Sequence, residues 1–390
     1  MNEPLQATFD RIQRPALGAG VIALLISVVG AYLSPTKFMR SYLVAFWFWL
    51  MLAVGCLAIL MIQYFIKGRW GLLIRRPLEA GTRTLPLFAL LFLPILFSLP
   101  RLYLWAQPQT LPSLHLVYFK HVYLSVPFWV ARAIIYFALL LLWAYLLNRW
   151  STREDAEGGS HPLGRMRYLS GPGLILFAFI LTFAAVDWVM SLDPGFFSTI
   201  YGLIFAVIPA RMAVALAVIV LMLLSTRYEP ITELAEPQRF NDYGNLLLVF
   251  TMLWAYLQFD QFLIIWAGNL QDEIPWYVIR AKGPWGGVAL ALFIVNFALP
   301  FMLLLQRAVT RRRLWLSWLS VLILAMEWVD LDWMISASFY PQGPRLNWMD
   351  LTLFIGIGGI WVSWFVWQLK GRPLLPVHDP RFEGVIPVGS

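Results

Sequence analysis

The sequence predicts an all-α, polytopic membrane protein, and three observations carry that prediction. Hydrophobic residues make up 60% of the chain and charged residues 13%, about half the charged share of a soluble domain. Mean hydropathy is +0.71. The apolar residues fall in runs of roughly 20 rather than in alternating stretches of about ten, and because backbone amides in hydrocarbon must pair internally, that pattern selects helices over a closed barrel.

Ten runs are long enough to cross a hydrocarbon core of about 30 Å. They cover 17–34, 41–66, 84–105, 125–148, 170–192, 199–226, 243–267, 285–306, 314–337 and 350–369. Ahead of the first stands MNEPLQATFDRIQRPA, whose acids and length do not suit a signal-peptide n-region, so that span is expected to stay in the protein. Between the second and third spans, GRWGLLIRRPLEAGTR mixes Trp and Leu with four arginines; such a segment is expected to lie in the headgroup plane as a connector. The aromatic stretch Leu104 to Leu124 is expected to cap the bundle. Residues 1–370 then form a single membrane domain, and the Pro-rich tail 371–390 is expected to run extended along a partner.

Orientation follows from the cations. The N-terminus, the loops after the second, fourth, sixth and eighth spans, and the tail hold most of the 29 Lys and Arg, so both termini are expected in the cytoplasm. The same asymmetry accounts for the net charge of +8. It matches topology and anionic headgroups, and no basic patch with interleaved aromatics points to nucleic acid. Arg132 and Arg211 are the two cations read as lying within spans.

An internal repeat organises the spans. VPFWVARA from Val126 and IPWYVIRA from Ile274 share Pro, Val, Arg and Ala at the same offsets. Both sit where a loop leads into a span, the fourth and the eighth, and an offset of four spans preserves direction. A parallel repeat is therefore expected, with one four-helix bundle over 41–192 and a second over 199–337, flanked by the helices at 17–34 and 350–369. VDWVMSLDP from Val186 against MEWVDLDW from Met326 is a second echo.

The acids inside these runs are the candidate functional residues. Asp187, Asp260, Glu327, Asp330 and Asp332 fall toward the outer halves of the fifth, seventh and ninth spans, with Asp193 at the outer end of the fifth. Arg132 enters the same half. Charges at such depth are costly unless paired or wetted, so they face a bundle interior or a cavity, where proton relays are a leading use. Helical spacing puts Glu327 and Asp330 on one face and turns Asp332 away; Tyr256 and Asp260, four apart, also share a face. The competing reading makes these acids helix clamps paired with Arg132, Arg211, Trp N–H or hydroxyl groups, with Asp193 and Asp332 merely interfacial.

Several chemistries are excluded. The four histidines, His115, His121, His161 and His378, lie outside the spans, so no span offers an axial haem ligand. The one cysteine, Cys56, cannot form a disulfide within the chain or hold an iron–sulfur cluster by itself, and is expected to be a small core residue. No Gly-rich phosphate loop, GxSxG or HExxH is present. Gly356 and Gly359 suit close helix packing.

Four segments carry a family likeness. WGLLIRRPLEAGTRTLPLFALLFLPI, VDWVMSLDPGFFSTIYG, FDQFLIIWAGNLQDEIPWY and PLLPVHDPR, in this order over nearly the whole chain, closely resemble the F subunit of alternative complex III, the bacterial quinol:cytochrome c (or high-potential iron–sulfur protein) oxidoreductase, within the polysulfide-reductase-like membrane-anchor superfamily. The resemblance implies two four-helix bundles in a bacterial cytoplasmic membrane and no haem, cluster or metal in this chain. It implies as partners a related C membrane subunit, an iron–sulfur B subunit, haem-c subunits A and E and a small D subunit, with quinol as the substrate of the complex. Related members often have Ser where this chain has Asp260.

Together the charge map and the resemblance give an expected mechanism in which outer-half acids form a proton exit. Asp187 and Glu327 are the expected relay carboxylates, Asp330, Asp260 and Tyr256 support them, and Arg132 and Arg211 tune them electrostatically. Lacking an intramembrane His, the chain offers only acids and Trp to a quinol headgroup, and the C subunit is the expected oxidation site. Two alternatives stand beside this reading: a purely structural scaffold of the complex, and a stand-alone secondary transporter, which would show broken helices at matching positions of the two halves.

Overall fold

A computed structural model describes residues 3–66, 68–107, 122–157, 160–376 and 378–379. Ten helices in it are long and apolar enough to cross a membrane, and the described residues contain no strand. In chain order they are α1 (Glu3–Leu33), α2 (Pro35–Ile66), α3 (Arg75–Phe97), α4 (Val126–Glu157), α5 (Ser160–Trp188), α6 (Tyr201–Ser225), α7 (Pro237–Gly268), α8 (Gly283–Leu304), α9 (Arg313–Phe339) and α10 (Trp348–Lys370). The chain is an all-α, multi-pass membrane protein.

Several helices run past their apolar cores. α1 begins well before the expected span because Leu5 and Phe9 continue the buried face of the helix, while Lys370 reaches back to Asp10. α2 begins at Pro35, a residue preorganised for the first helical turn, which places Arg40 inside the helix rather than in a loop. α4 and α5 extend toward each other until only a few residues separate them.

Two irregular spans interrupt this regularity. α3 is broken into Arg75–Thr82, Leu85–Leu91 and Leu93–Phe97, with Pro86 and Pro94 each at the start of a piece, where a missing N–H is tolerated. In α8 the turn Leu292–Ala298 widens to a π-helix, a feature concentrated at functional sites.

The spans pack in two rings. α2, α3, α4 and α5 close one ring of neighbours, and α6, α7, α8 and α9 close another in the same order. Between the rings α2 meets α6, and the contact of α5 with α6 is mirrored by that of α9 with α2. α2 and α6 are accordingly the most deeply buried spans, and both are apolar around their whole circumference, as helices packed on all sides must be. α1 and α10 pair with each other outside the rings. Their contact is a stripe of small residues: a Cβ on Gly359 would stand 2.4 Å from the carbonyl oxygen of Ala16, and one on Gly20 2.8 Å from the amide nitrogen of Ile360. Only Gly permits backbones that close.

Two expectations about the loops change. The segment around Arg75 is not a surface connector along its length: Arg75–Thr82 is buried throughout, packed on α2 and α10. It can be buried because its charges are matched. Glu79 pairs with Arg75 at 2.9 Å and Arg76 at 2.7 Å, and Arg75 also meets Glu154 and Asp379. The tail, where described, folds back on its own chain instead of extending, with Leu374, Leu375 and Asp379 buried. Of the Leu104 to Leu124 stretch, residues 108–121 lie outside the described residues, as do His115, His121 and 380–390. Cys56 is buried, with its sulfur against Gly81.

Candidate functional site

Three buried charge clusters sit in the half of the molecule opposite the Arg75 network. The first belongs to the α4–α5 pair. Arg132, two turns into α4, donates to both Asp187 oxygens, from Nε at 2.8 Å and Nη2 at 2.9 Å. Tyr136, one turn further, adds a hydroxyl at 2.7 Å. The backbone is held too, since the Asp187 carbonyl accepts from Trp129 at 2.8 Å and Ser191 at 2.5 Å. Tyr123 and Phe128 cover the guanidinium, and Trp188 packs among Phe92, Phe137 and Trp47. Asp187 is fully buried, its charge matched by one cation inside an aromatic shell.

The second cluster joins α6, α7, α8 and α9. Arg211 lies about 15 Å along α6, near the middle of that helix, and donates to Glu327 Oε1 at 2.8 Å. Its other terminal nitrogen donates to the carbonyl of Asn296 at 2.7 Å. Asn296 is part of the π-turn, whose irregular ladder leaves that carbonyl to the guanidinium. Trp254 of α7 donates to Asp330 Oδ2 at 3.0 Å and lies 5.5 Å from the Arg211 guanidinium. Glu327 Oε2 and Asp330 Oδ1, both buried, accept no hydrogen bond of normal geometry from the protein. Glu327 thus takes the ion pair, and Asp330 stands within electrostatic reach of the same guanidinium.

Asp330 also forms part of the wall of a cavity of about 580 Å³ between α7, α8 and α9, open on the side where Tyr256, Phe259 and Phe293 are exposed. Most of its wall is aromatic or aliphatic; Gln258, Tyr277 and Arg280 add polar groups near Asp330. Arg280 in turn donates to the Met334 carbonyl at 2.8 Å, to Ser338 at 2.9 Å and to Asp193 at 3.5 Å. Tyr201 is buried within electrostatic reach of Asp193, Arg280 and Asp330. Since Asp193 is about a third exposed, a line of polar groups runs from the core to the surface.

Arg40, Asp332 and Asp350 make the third cluster. Arg40 donates to Asp350 at 2.5 Å, Ser336 at 2.9 Å and Asp332 at 3.3 Å. Asp350 serves twice, because its second oxygen accepts from the backbone of Asn347 at 2.7 Å and caps α10.

The expected residues therefore separate. Glu327 and Asp330 share a face and come together with Arg211, and Asp187 with Arg132; Glu327 lies closer to the middle of its helix than the expected outer half. Asp332 turns away from Glu327, but it is an ion-pair partner rather than a bare interfacial acid. Tyr256 and Asp260 do not form a pair: Tyr256 is exposed, Asp260 is half-buried, and neither has a hydrogen bond or ion pair among the described residues. Their shared face looks outward from α7.

Arg40, Arg280, Asp350 and Tyr201 were missed as site residues. For Arg280 the signal was present, since the repeat aligns it with Arg132. Yet the two arginines are used differently: the first copy of the motif is continuous with α4, whereas the second is a separate helix, Ile274–Ala281, cut from α8 at Gly283, whose φ is 58°. The break turns Arg280 toward Asp193 and leaves Glu327 to Arg211. Among the described residues no group of His, Cys, Asp and Glu is arranged to hold a metal ion. No protein-family model matches the chain, and a search of curated proteins finds no relative of it.

Proposed function

We propose that this chain is a membrane subunit, without a redox centre of its own, of a bacterial quinol:electron-acceptor oxidoreductase of the alternative complex III kind, and that it carries protons between the membrane core and one surface. Asymmetry of charge in the second bundle is the observation that carries the relay: Glu327 and Asp330 are both buried, and Arg211 can neutralise only one of them. A proton on either acid removes the excess, and its transfer from one to the other moves charge along α9 without opening the bundle. Asp330 faces the cavity, and Tyr201, Arg280 and Asp193 continue toward the surface. Carboxylate oxygens that lack a protein partner are where a bridging water binds.

Quinol enters this reading through the cavity. Its lipid-open, largely apolar wall suits a quinol ring and the start of its isoprenoid tail, and Asp330 and Trp254 supply an acceptor and a donor at its inner end. The four segments quoted above supply the assignment to the complex, with the related membrane subunit, iron–sulfur subunit, haem-c subunits and small subunit as partners. Positive charge at the opposite end supports a cytoplasmic side for both termini, with the relay opening outward. Asp187 is assigned a clamping role, because both oxygens of its carboxylate accept hydrogen bonds from Arg132 or Tyr136.

Glu327→Gln and Asp330→Asn in the assembled complex test the relay. Each is expected to slow quinol oxidation and proton release at least about tenfold with assembly unchanged, while Asp187→Asn lowers the amount of complex assembled and leaves turnover per complex intact. Normal turnover and proton release in both α9 variants would reduce the subunit to a scaffold. A stand-alone transporter is disfavoured by the positions of the irregular spans: α3 is broken while its repeat mate α7 is continuous, and α8 carries the π-turn while α4 has none.

A further inference from the structure

The opposite end of the first bundle holds a second cavity of about 560 Å³, bounded by α3, α4 and the end of α10. Four arginines reach it: Arg83, Arg149, Arg153 and Arg372. No Asp or Glu is among its lining residues. Pro86, Leu141 and Tyr145 form its apolar side, and Pro86 and Tyr145 are exposed on the outer surface of the bundle.

Charge bookkeeping shows what the cavity lacks. Behind it, Arg75, Arg76, Arg83 and Arg372 are matched by Glu79, Glu154, Asp155 and Asp379. Arg83 and Arg372 are the outermost members, and their nearest carboxylate, Glu79, stands at 3.6 and 3.7 Å; Arg83 Nη2 and Arg372 Nη1 are buried without a hydrogen bond. Burial also holds the Arg372 guanidinium below its ordinary pKa. Arg149 and Arg153 form no ion pair among the described residues; Arg153 rests only on the Trp150 ring. The cavity therefore carries two uncompensated cations, Arg149 and Arg153, beside two arginines whose nearest carboxylate, Glu79, lies beyond hydrogen-bond distance.

Depth identifies the occupant. The 32 residues of α4 are about 48 Å long against a hydrocarbon core of about 30 Å, so its last turns, with Arg149 and Arg153, stand at headgroup level. Leu141 and Tyr145 lie one to two turns deeper, at the level of acyl chains. We infer that this cavity binds one anionic phospholipid, its phosphodiester among Arg83, Arg149, Arg153 and Arg372 and an acyl chain along Leu141 and Tyr145. Basic pockets between helices recognise anionic headgroups in this way, and the bidentate fork of Arg suits phosphate oxygens. This inference does not depend on the relay.

Titration of phosphatidylglycerol or phosphatidylcholine into the delipidated full-length protein, followed by native mass spectrometry, tests it. The expected result is tighter retention of phosphatidylglycerol, weakened about fivefold by each of Arg149→Gln and Arg153→Gln, with phosphatidylcholine unaffected. Because both side chains lie at the surface of the fold, these variants keep the protein folded, and an unchanged unfolding midpoint verifies that. Equal retention of the two lipids, unaltered phosphatidylglycerol binding in both variants, or displacement of the lipid by millimolar inorganic phosphate would overturn the assignment, the last by making the site one for free phosphate.

Discussion

In the first bundle one carboxylate, Asp187, meets one guanidinium, Arg132, and a hydroxyl completes its shell. In the second, Glu327 takes the ion pair of the single guanidinium, Arg211, Asp330 accepts from Trp254 instead, and each acid keeps an oxygen without a hydrogen bond of normal geometry. The two bundles share ring order and a common motif, yet one stores its charge in a closed pair and the other holds a surplus beside a cavity. A repeat can thus conserve packing while its charges diverge, because packing is set by apolar faces on every helix and charge matching by a few residues.

The largest way to break this comparison is Arg211→Met, which leaves two buried carboxylates without a cation. It should cost about 3–5 kcal/mol, measured by denaturant unfolding of the protein in mild detergent; a smaller loss would mean that the acids are not charged partners of Arg211. Next comes a matched pair of variants. Asp187→Asn should cost about 2–3 kcal/mol, since it weakens a charge-assisted shell and leaves Arg132 uncompensated, whereas Asp330→Asn should cost less than about 1 kcal/mol because it removes surplus charge. Equal losses in that pair would erase the distinction between the bundles.

Much of this was legible in the sequence, and the rest was hidden for identifiable reasons. Ten spans followed from hydropathy, and the two rings from a motif of eight residues around Arg132 and Arg280. The shared face of Glu327 and Asp330 followed from helical spacing. What spacing within one helix cannot give is the partner on another: that Arg211 of α6 meets Glu327 of α9, or that Arg40 of α2 meets Asp350 of α10, depends on which helices are neighbours. Arg40, Arg75 and Arg76 were read as loop cations because charge lowers local hydropathy, although matched charge is buried at the ends of these spans. Tyr256 and Asp260 show the converse error, since residues on one face need not face inward.

Smaller effects sharpen the picture outside the rings. Gly359→Ala should cost about 1–2 kcal/mol by overpacking α1 against α10, with no change in the behaviour of either charge cluster; proteolytic sensitivity of α1 would report the separation. Smallest is Tyr256→Phe, expected within about 0.5 kcal/mol of the parent in the same unfolding measurement, because the phenol makes no bond that the change removes.

One contact constrains how the chain assembles. Asp379 closes the charge balance around Arg75, so a residue made early in synthesis waits for a counter-ion that leaves the ribosome more than three hundred residues later. Until then Arg75 rests on Glu79 and Glu154 alone, and the first bundle lacks its last ion pair while the second is built. Truncating the polypeptide before Asp379 would consequently weaken the half of the molecule that was translated first.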